Sequence, residues 1–133
     1  MISTKKNRFS FAALAVAAIT VAPNVEAAVI ATSPVWADSG QSYHACNVVN
    51  ISTATVSVTV ELINSVGTVV TGPTTVSLLA GHSIELPGSS SSDPSGFEWC
   101  RFTASSVTSL RGNISVFRYM GSYYDTLAMS EAK

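Results

Sequence analysis

Strict alternation between apolar and polar residues is the feature that most constrains the fold of this chain. It is clearest in VSVTVEL, residues 56–62, where valine or leucine occupies every even position and serine, threonine or glutamate every odd one. Successive side chains of a β-strand point to opposite faces, so this period of two predicts a half-buried strand. Beyond residue 27, no stretch repeats apolar residues at helical spacing over three turns. The sequence therefore predicts an all-β fold.

Glycine, proline, asparagine and serine residues that favour turns divide the chain beyond residue 27 into short segments. Strands are expected at 29–36, 56–62, 68–71, 76–78, 84–86, 97–104, 110–120 and 123–129. Pro34 places the first of these at a sheet edge, and the last is expected to be an edge strand or a frayed tail. Seven or eight short antiparallel strands separated by turns indicate an immunoglobulin-like β-sandwich. The stretch 87–96, PGSSSSDPSG, is expected to be a long mobile loop.

The beginning of the chain has the pattern of an export signal. A basic start is followed by an apolar run at 9–22, and small residues occupy the −3 and −1 positions before a cut after Ala27. The basic residues are Lys5, Lys6 and Arg8. The run is shorter than the ~20 residues that span a bilayer, so a transmembrane anchor is not expected. The prediction is a cleaved signal peptide at 1–27 and one β-sandwich domain at 28–133, secreted or periplasmic, with no membrane span after cleavage.

Charge is scarce in this chain. Charged residues make up 11% of the 133, and the formal net charge is −1. Removal of residues 1–27 leaves four basic and seven acidic groups, a net charge of −3. Binders of nucleic acid or of anionic membranes need clustered lysine and arginine, so neither function is expected.

Cys46 and Cys100 are the two cysteines of the chain. In an exported protein an even count favours a disulfide, and closure of so long a loop stabilises the fold by about 4 kcal/mol in the chain-entropy model. Cys46 shares the parity of Val48, and Cys100 that of Phe102, so both sulfurs are expected to face inward and to join two strands. Metal ligation is the weaker alternative, because there is no CxxC pair and the histidines are not grouped with the cysteines. No metal site and no cofactor are predicted.

A cysteine bridge between sheets resembles that of immunoglobulin domains, although their tryptophan on the third strand is missing and Glu98 stands where they have a tyrosine. A second resemblance covers residues 44–87. CNVVNIS, VSVTVELINSVGTVV and VSLLAGHSIEL together resemble the middle of CARDB-type and related bacterial immunoglobulin-like modules: an Asn-ending strand, an alternating strand, a glycine turn and a Leu-x-x-Gly turn. The resemblance implies the sandwich fold and does not specify a ligand.

The sequence contains no recognisable catalytic constellation, and we expect no enzyme. There is no GxSxG elbow, and the serine run at 89–92 lies in the expected loop. The carboxylates are scattered, mostly singly at outward positions, which does not suit the paired acids of glycoside cleavage. The alternative is a small secreted hydrolase assembled from dispersed residues, with His44, His82 or Glu98 as candidates.

Outward-facing aromatic residues provide a candidate contact surface. Trp99 and Arg101 alternate with the inward Cys100, and Phe117 and Tyr119 have the outward parity of the next strand. If these consecutive strands pair, the four side chains form one patch of the kind that binds proteins or sugars. The alternative is that the terminal segments cover this patch.

These features favour an exported, non-catalytic β-sandwich that acts by contact as a binding or structural module of the cell envelope or extracellular space. Its partner is expected to be an unidentified protein or glycan, and the molecule a monomer or weak oligomer. A carbohydrate-binding module and a pilin- or adhesin-like subunit are alternatives. A pilin-like subunit requires an incomplete sandwich with an open groove.

Overall fold

Nine antiparallel strands in two facing sheets make up the described part of the chain. The computed structural model describes residues 26–38, 43–88 and 96–133. The strands are β1 (Ala28–Ala31), β2 (Val35–Ala37), β3 (Tyr43–Asn50), β4 (Val56–Asn64), β5 (Val69–Leu78), β6 (Ser83–Pro87), β7 (Gly96–Ala104), β8 (Leu110–Tyr119) and β9 (Tyr124–Glu131). A five-stranded sheet has the order β1-β7-β4-β5, with β2 also paired to β7, and a four-stranded sheet has the order β6-β3-β8-β9. The predicted antiparallel β-sandwich is confirmed.

The expected strand at 29–36 is two strands in the structure. Both β1 and β2 pair with β7, and Pro34 lies between them. Proline has no N–H to donate to the ladder, so the pairing stops at this residue and resumes at Val35. The last predicted segment is an edge strand, β9, rather than a frayed tail.

Strand β5 continues through Gly72, where the sequence predicted a break. Gly72 has φ of +93°, and a Cβ at this position would lie 2.7 Å from the carbonyl oxygen of Val60. The register between β4 and β5 shifts at the same place, between Val60 and Leu62. Glycine thus allows a bulge at which the strand bends without ending.

The core lies between the two sheets and includes the disulfide. Cys46 of β3 and Cys100 of β7 are fully buried and bonded to each other, so the predicted bridge between sheets is confirmed. Gly112 of β8 faces the ring of Phe102, and a Cβ on this glycine would lie 2.6 Å from the ring atom Cε2. The other large side chains of the core are Val48, Val58, Val60, Leu62, Leu78, Leu110 and Ile114. This disulfide indicates an oxidising environment outside the cytoplasm.

The first strand and the end of the chain join the two sheets along one side. Thr32 pairs with Ala132, and Ala31 and Lys133 exchange backbone hydrogen bonds of 3.1 and 3.3 Å. Main-chain hydrogen bonds therefore link the sheets here.

Two sequence predictions fall largely outside the described residues. These are the signal peptide, of which residues 1–25 are not described, and the loop at 87–96, of which residues 89–95 are not described. Among the residues that are described, no helix has the length and hydropathy needed to span a bilayer.

Candidate binding surface

The four residues of the predicted patch lie on two different sheets. Trp99 and Arg101 belong to β7 in the five-stranded sheet, whereas Phe117 and Tyr119 belong to β8 in the four-stranded sheet. The prediction that these consecutive strands pair is wrong, because the chain crosses between the sheets after Ala104. The inward parity of both strands is confirmed by the burial of Cys100 and Ile114. The two pairs of residues therefore project from opposite outer faces of the sandwich.

On the outer face of the five-stranded sheet, Arg101 is held by Glu61 of β4. The guanidinium donates two hydrogen bonds to the carboxylate, from Nε to Oε2 at 2.6 Å and from Nη2 to Oε1 at 3.0 Å. The hydrogen bond to Glu61 also raises the pKa of Arg101. A bidentate pair of this kind fixes both side chains, so the guanidinium of Arg101 already has its partner, Glu61, within the protein.

Aromatic residues occupy one end of the same outer face, and we call this set the tryptophan face: Trp36, Phe97 and Trp99. Trp36 and Phe97 are register partners on β2 and β7, with exposures of 52% and 50%. Trp99 is the register partner of Ile63, which is buried although it points away from the core. Trp99 is half-buried here, so part of its surface has a structural role.

The outer face of the four-stranded sheet carries a cluster of four rings, which we call the tyrosine face: Tyr43, Phe117, Tyr119 and Tyr124. The ring centroids of Tyr43 and Phe117 are 5.1 Å apart, those of Tyr43 and Tyr124 5.6 Å, and those of Tyr119 and Tyr124 5.1 Å. These separations are typical of stabilising aromatic contacts. Tyr119 and Tyr124 are register partners and are 53% and 54% exposed. The rings therefore form a continuous surface across β3, β8 and β9.

Sequence reasoning identified Phe117 and Tyr119 but missed Tyr43 and Tyr124. Tyr43 lies three residues before Cys46, so its outward parity could have been deduced from the sequence. Its position beside Phe117 depends on the pairing of β3 with β8, for which the sequence carries no direct signal.

The phenol of Tyr43 keeps its proton over a wide pH range. Its pKa is raised above the ordinary value, first by burial and then by the charges of Glu85 and Tyr124. A protonated phenol can both donate and accept a hydrogen bond. Tyr43 thus contributes a polar group as well as a ring to the tyrosine face.

A row of polar side chains lies further along the same outer face. Asn47 Nδ2 donates to Asn113 Oδ1 at 3.1 Å and to Ser115 Oγ at 3.4 Å, and Ser115 Oγ donates to Asn113 Oδ1 at 3.1 Å. No hydrogen bond within the described part of the chain uses Nδ2 of Asn113 or Oδ1 of Asn47. A groove of about 400 Å³ borders these residues and is also lined by Glu85 and Arg111. Amide groups with spare hydrogen-bonding capacity therefore line a concave surface.

Two of the three candidate catalytic residues meet inside the sandwich. His44 Nδ1 of β3 lies 2.8 Å from Glu98 Oε2 of β7, and His44 Nε2 lies 3.2 Å from the carbonyl oxygen of Val35. Nδ1 of His44 has no hydrogen-bond partner within the described part of the chain, so this short contact does not have the geometry of a hydrogen bond. Each residue stands two positions before a bridged cysteine. Glu98 therefore shares the inward parity of Cys100 and is an exception to the carboxylates expected at outward positions.

The third candidate, His82, is exposed in the turn after β5. Its carbonyl oxygen accepts a 3.0 Å hydrogen bond from the backbone of Asn50, at the opposite end of β3 from His44. The histidines therefore do not converge on one site. In the described ranges, no group of three or more His, Cys, Asp or Glu residues is placed to hold a metal ion.

Comparison with solved structures finds a match for this fold. The crystal structure of Thermotoga maritima 1070 aligns with a TM-score of 0.52 and 10% sequence identity, covering 79% of this chain and 91% of that chain. At this identity the likeness concerns the fold alone. A scan against protein-family models finds no match, and neither does a search of the curated proteins.

Proposed function

We propose that this protein is an exported, non-catalytic β-sandwich that acts by contact, and that the tyrosine face is its binding surface. The observation that carries this proposal is that a cluster of contacting rings and a row of amides share one outer sheet face. Aromatic residues are the side chains that most often anchor binding surfaces, and amides with spare donors and acceptors supply specificity.

The two outer faces differ in how their polar groups are used. On the five-stranded sheet, Arg101 is paired with Glu61, and the hydroxyls of Thr59 and Thr75 are 2.7 Å apart. On the four-stranded sheet, part of the hydrogen-bonding capacity of Asn47 and Asn113 is unused. A ligand gains hydrogen bonds only where the protein has not already formed them, which favours the tyrosine face over the tryptophan face.

Export to the periplasm or the extracellular space is supported by two features. The predicted signal peptide ends at Ala27, and the buried disulfide suits an oxidising compartment. Strand β1 begins at Ala28, so cleavage after Ala27 would leave every described strand intact. The resemblance to CARDB-type modules stays a prediction that agrees with this assignment.

A non-catalytic role is supported by the position of the His44–Glu98 pair. The histidine side chain is fully buried between the sheets, which does not suit a residue that has to contact a substrate. A pilin-like role is not favoured, because the central core side chains of the described strands, such as Val60, Phe102 and Ile114, are at most 1% exposed.

Capture from the envelope and culture medium of the expressing organism tests the proposal. The baits are the wild type, Tyr119→Ala with Tyr124→Ala, and the matched control Trp36→Ala with Phe97→Ala. Each double variant removes one cross-strand aromatic pair that is about half exposed. Circular dichroism verifies that all three baits are folded.

We expect a partner that the wild type and the control retain and the tyrosine-face variant loses. Retention by the tyrosine-face variant at the wild-type level, or loss from the control alone, would overturn the proposal.

A further inference from the structure

We infer that the ligand of the tyrosine face is a neutral, extended glycan, an inference that rests on the proposed function of this face. Three observations carry it: the spacing of the rings and amides, the chemistry of the amides, and the charge along the groove.

The rings and the amides lie too far apart for a small compact ligand to contact both. The pair Tyr43–Phe117 and the pair Asn47–Asn113 are rungs of the same β3–β8 ladder, four residues apart along the strands. At the rise of a strand this separation is about 13 Å. Ala45 and Ser115 form the rung between them, and both are buried. An extended chain molecule fits this distance along the face.

The rings and the amides, at opposite ends of this stretch of about 13 Å, together match the chemistry of a sugar chain. A pyranose ring presents a face of C–H groups, which packs on an aromatic ring, and an edge of hydroxyl groups. Hydroxyl groups both donate and accept hydrogen bonds, so they can accept from the unused Nδ2 of Asn113 and donate to the unused Oδ1 of Asn47. The phenol of Tyr43 is a further donor, and burial raises its pKa above the ordinary value.

The charge along the groove favours a neutral ligand. Glu85 and Arg111 are the charged residues that line it, one of each sign, and Glu131 borders the adjoining groove of about 340 Å³. Acidic polysaccharides and nucleic acids need several clustered cations to offset their charge. The described part of this face provides one arginine beside two glutamates, which disfavours polyanions.

Isothermal titration with defined oligosaccharides tests the inference. The probes are hexasaccharides of β-1,4-linked glucose, xylose and N-acetylglucosamine and of α-1,4-linked glucose, with polygalacturonate and alginate as acidic comparisons. The proteins are the wild type, Tyr119→Ala with Tyr124→Ala, Asn113→Ala, and the opposite-face control Trp36→Ala with Phe97→Ala.

We expect the wild type and the control to bind at least one neutral hexasaccharide with equal affinity. The tyrosine-face variant should bind it about tenfold or more weakly, equivalent to ~1.4 kcal/mol, and Asn113→Ala should also weaken it. Acidic polymers should not bind. No binding of any neutral probe, equal binding by the tyrosine-face variant, or a preference for acidic polymers would overturn the inference.

The two experiments together separate the failure of this inference from that of the proposed function. If no neutral glycan binds while capture still depends on Tyr119 and Tyr124, the glycan assignment is wrong and the contact function stands with a protein partner. If capture does not depend on these residues either, both are wrong.

Discussion

Asn50, the last residue of β3, fixes two loops through one buried amide. Its Nδ2 donates to the carbonyl oxygens of Ala54 at 2.7 Å and Leu78 at 3.0 Å, and its Oδ1 accepts from the backbone N–H of Ser52 at 2.9 Å. The backbone of the same residue hydrogen-bonds Gly81 and His82. The side chain and backbone of Asn50, at the end of β3, therefore hold both the loop after β3 and the turn between β5 and β6 in place.

Replacement Asn50→Asp tests this role with almost no change in shape. The variant loses both side-chain donors and places a carboxylate against carbonyl oxygens, so we expect the free energy of unfolding to fall by about 2–3 kcal/mol. Urea denaturation measures the change, with Ser65→Ala in an exposed turn as the control. A loss within about 0.5 kcal/mol, as is usual for surface substitutions, would show that the amide does not hold these loops.

Alternation along each strand predicted which face a residue occupies, but not which strand lies beside it. The inward position of Cys46 and Cys100 follows from the parity of Val48 and Phe102, and it is confirmed. The residues beside Phe117 could not be predicted in this way. Consecutive strands usually pair, but β7 and β8 lie in different sheets. A period of two does not indicate which strands share a sheet. The residues of the single predicted patch therefore lie on two separate surfaces in the structure.

Strands β3 and β7 are linked twice across the core. The disulfide joins Cys46 to Cys100, and two residues earlier on each strand His44 lies against Glu98. The equal offset means that the two strands run in the same direction where they face each other. The sequence shows that His44 and Glu98 each stand two residues before a cysteine. The contact between them also depends on the relative direction of the two strands, which the structure provides.

The disulfide should account for a large share of the stability of this pair of strands. We expect the double replacement Cys46→Ala and Cys100→Ala to lower the free energy of unfolding by up to about 4 kcal/mol, because the bridge restricts a long loop of the unfolded chain. Denaturation with and without a reductant measures this loss. Reduction should destabilise the wild type by a similar amount and leave the variant unchanged; equal stability of wild type and variant without reductant would contradict the expectation.

At the scale of the whole molecule, the sandwich presents two unlike faces from one rigid core. The fold brings Tyr43, Phe117 and Tyr124 together from three strands, and the aromatic residues of the other sheet lie on the far side. Side chains held on paired strands lose little freedom when a ligand binds, so a surface of this kind is already organised for contact. The prediction of a contact function came from the lack of a catalytic constellation in the sequence, whereas the proposed choice of face required the sheet topology.

Photo-crosslinking in the expressing organism tests the binding role of the tyrosine face most directly. A benzophenone-bearing residue is introduced at position 124 on the tyrosine face or at position 36 on the tryptophan face, two sites of nearly equal exposure. We predict that irradiation gives a product of higher mass from position 124 and none from position 36. A product from position 36 alone, or equal products from both positions, would contradict the assignment of the tyrosine face as the binding surface.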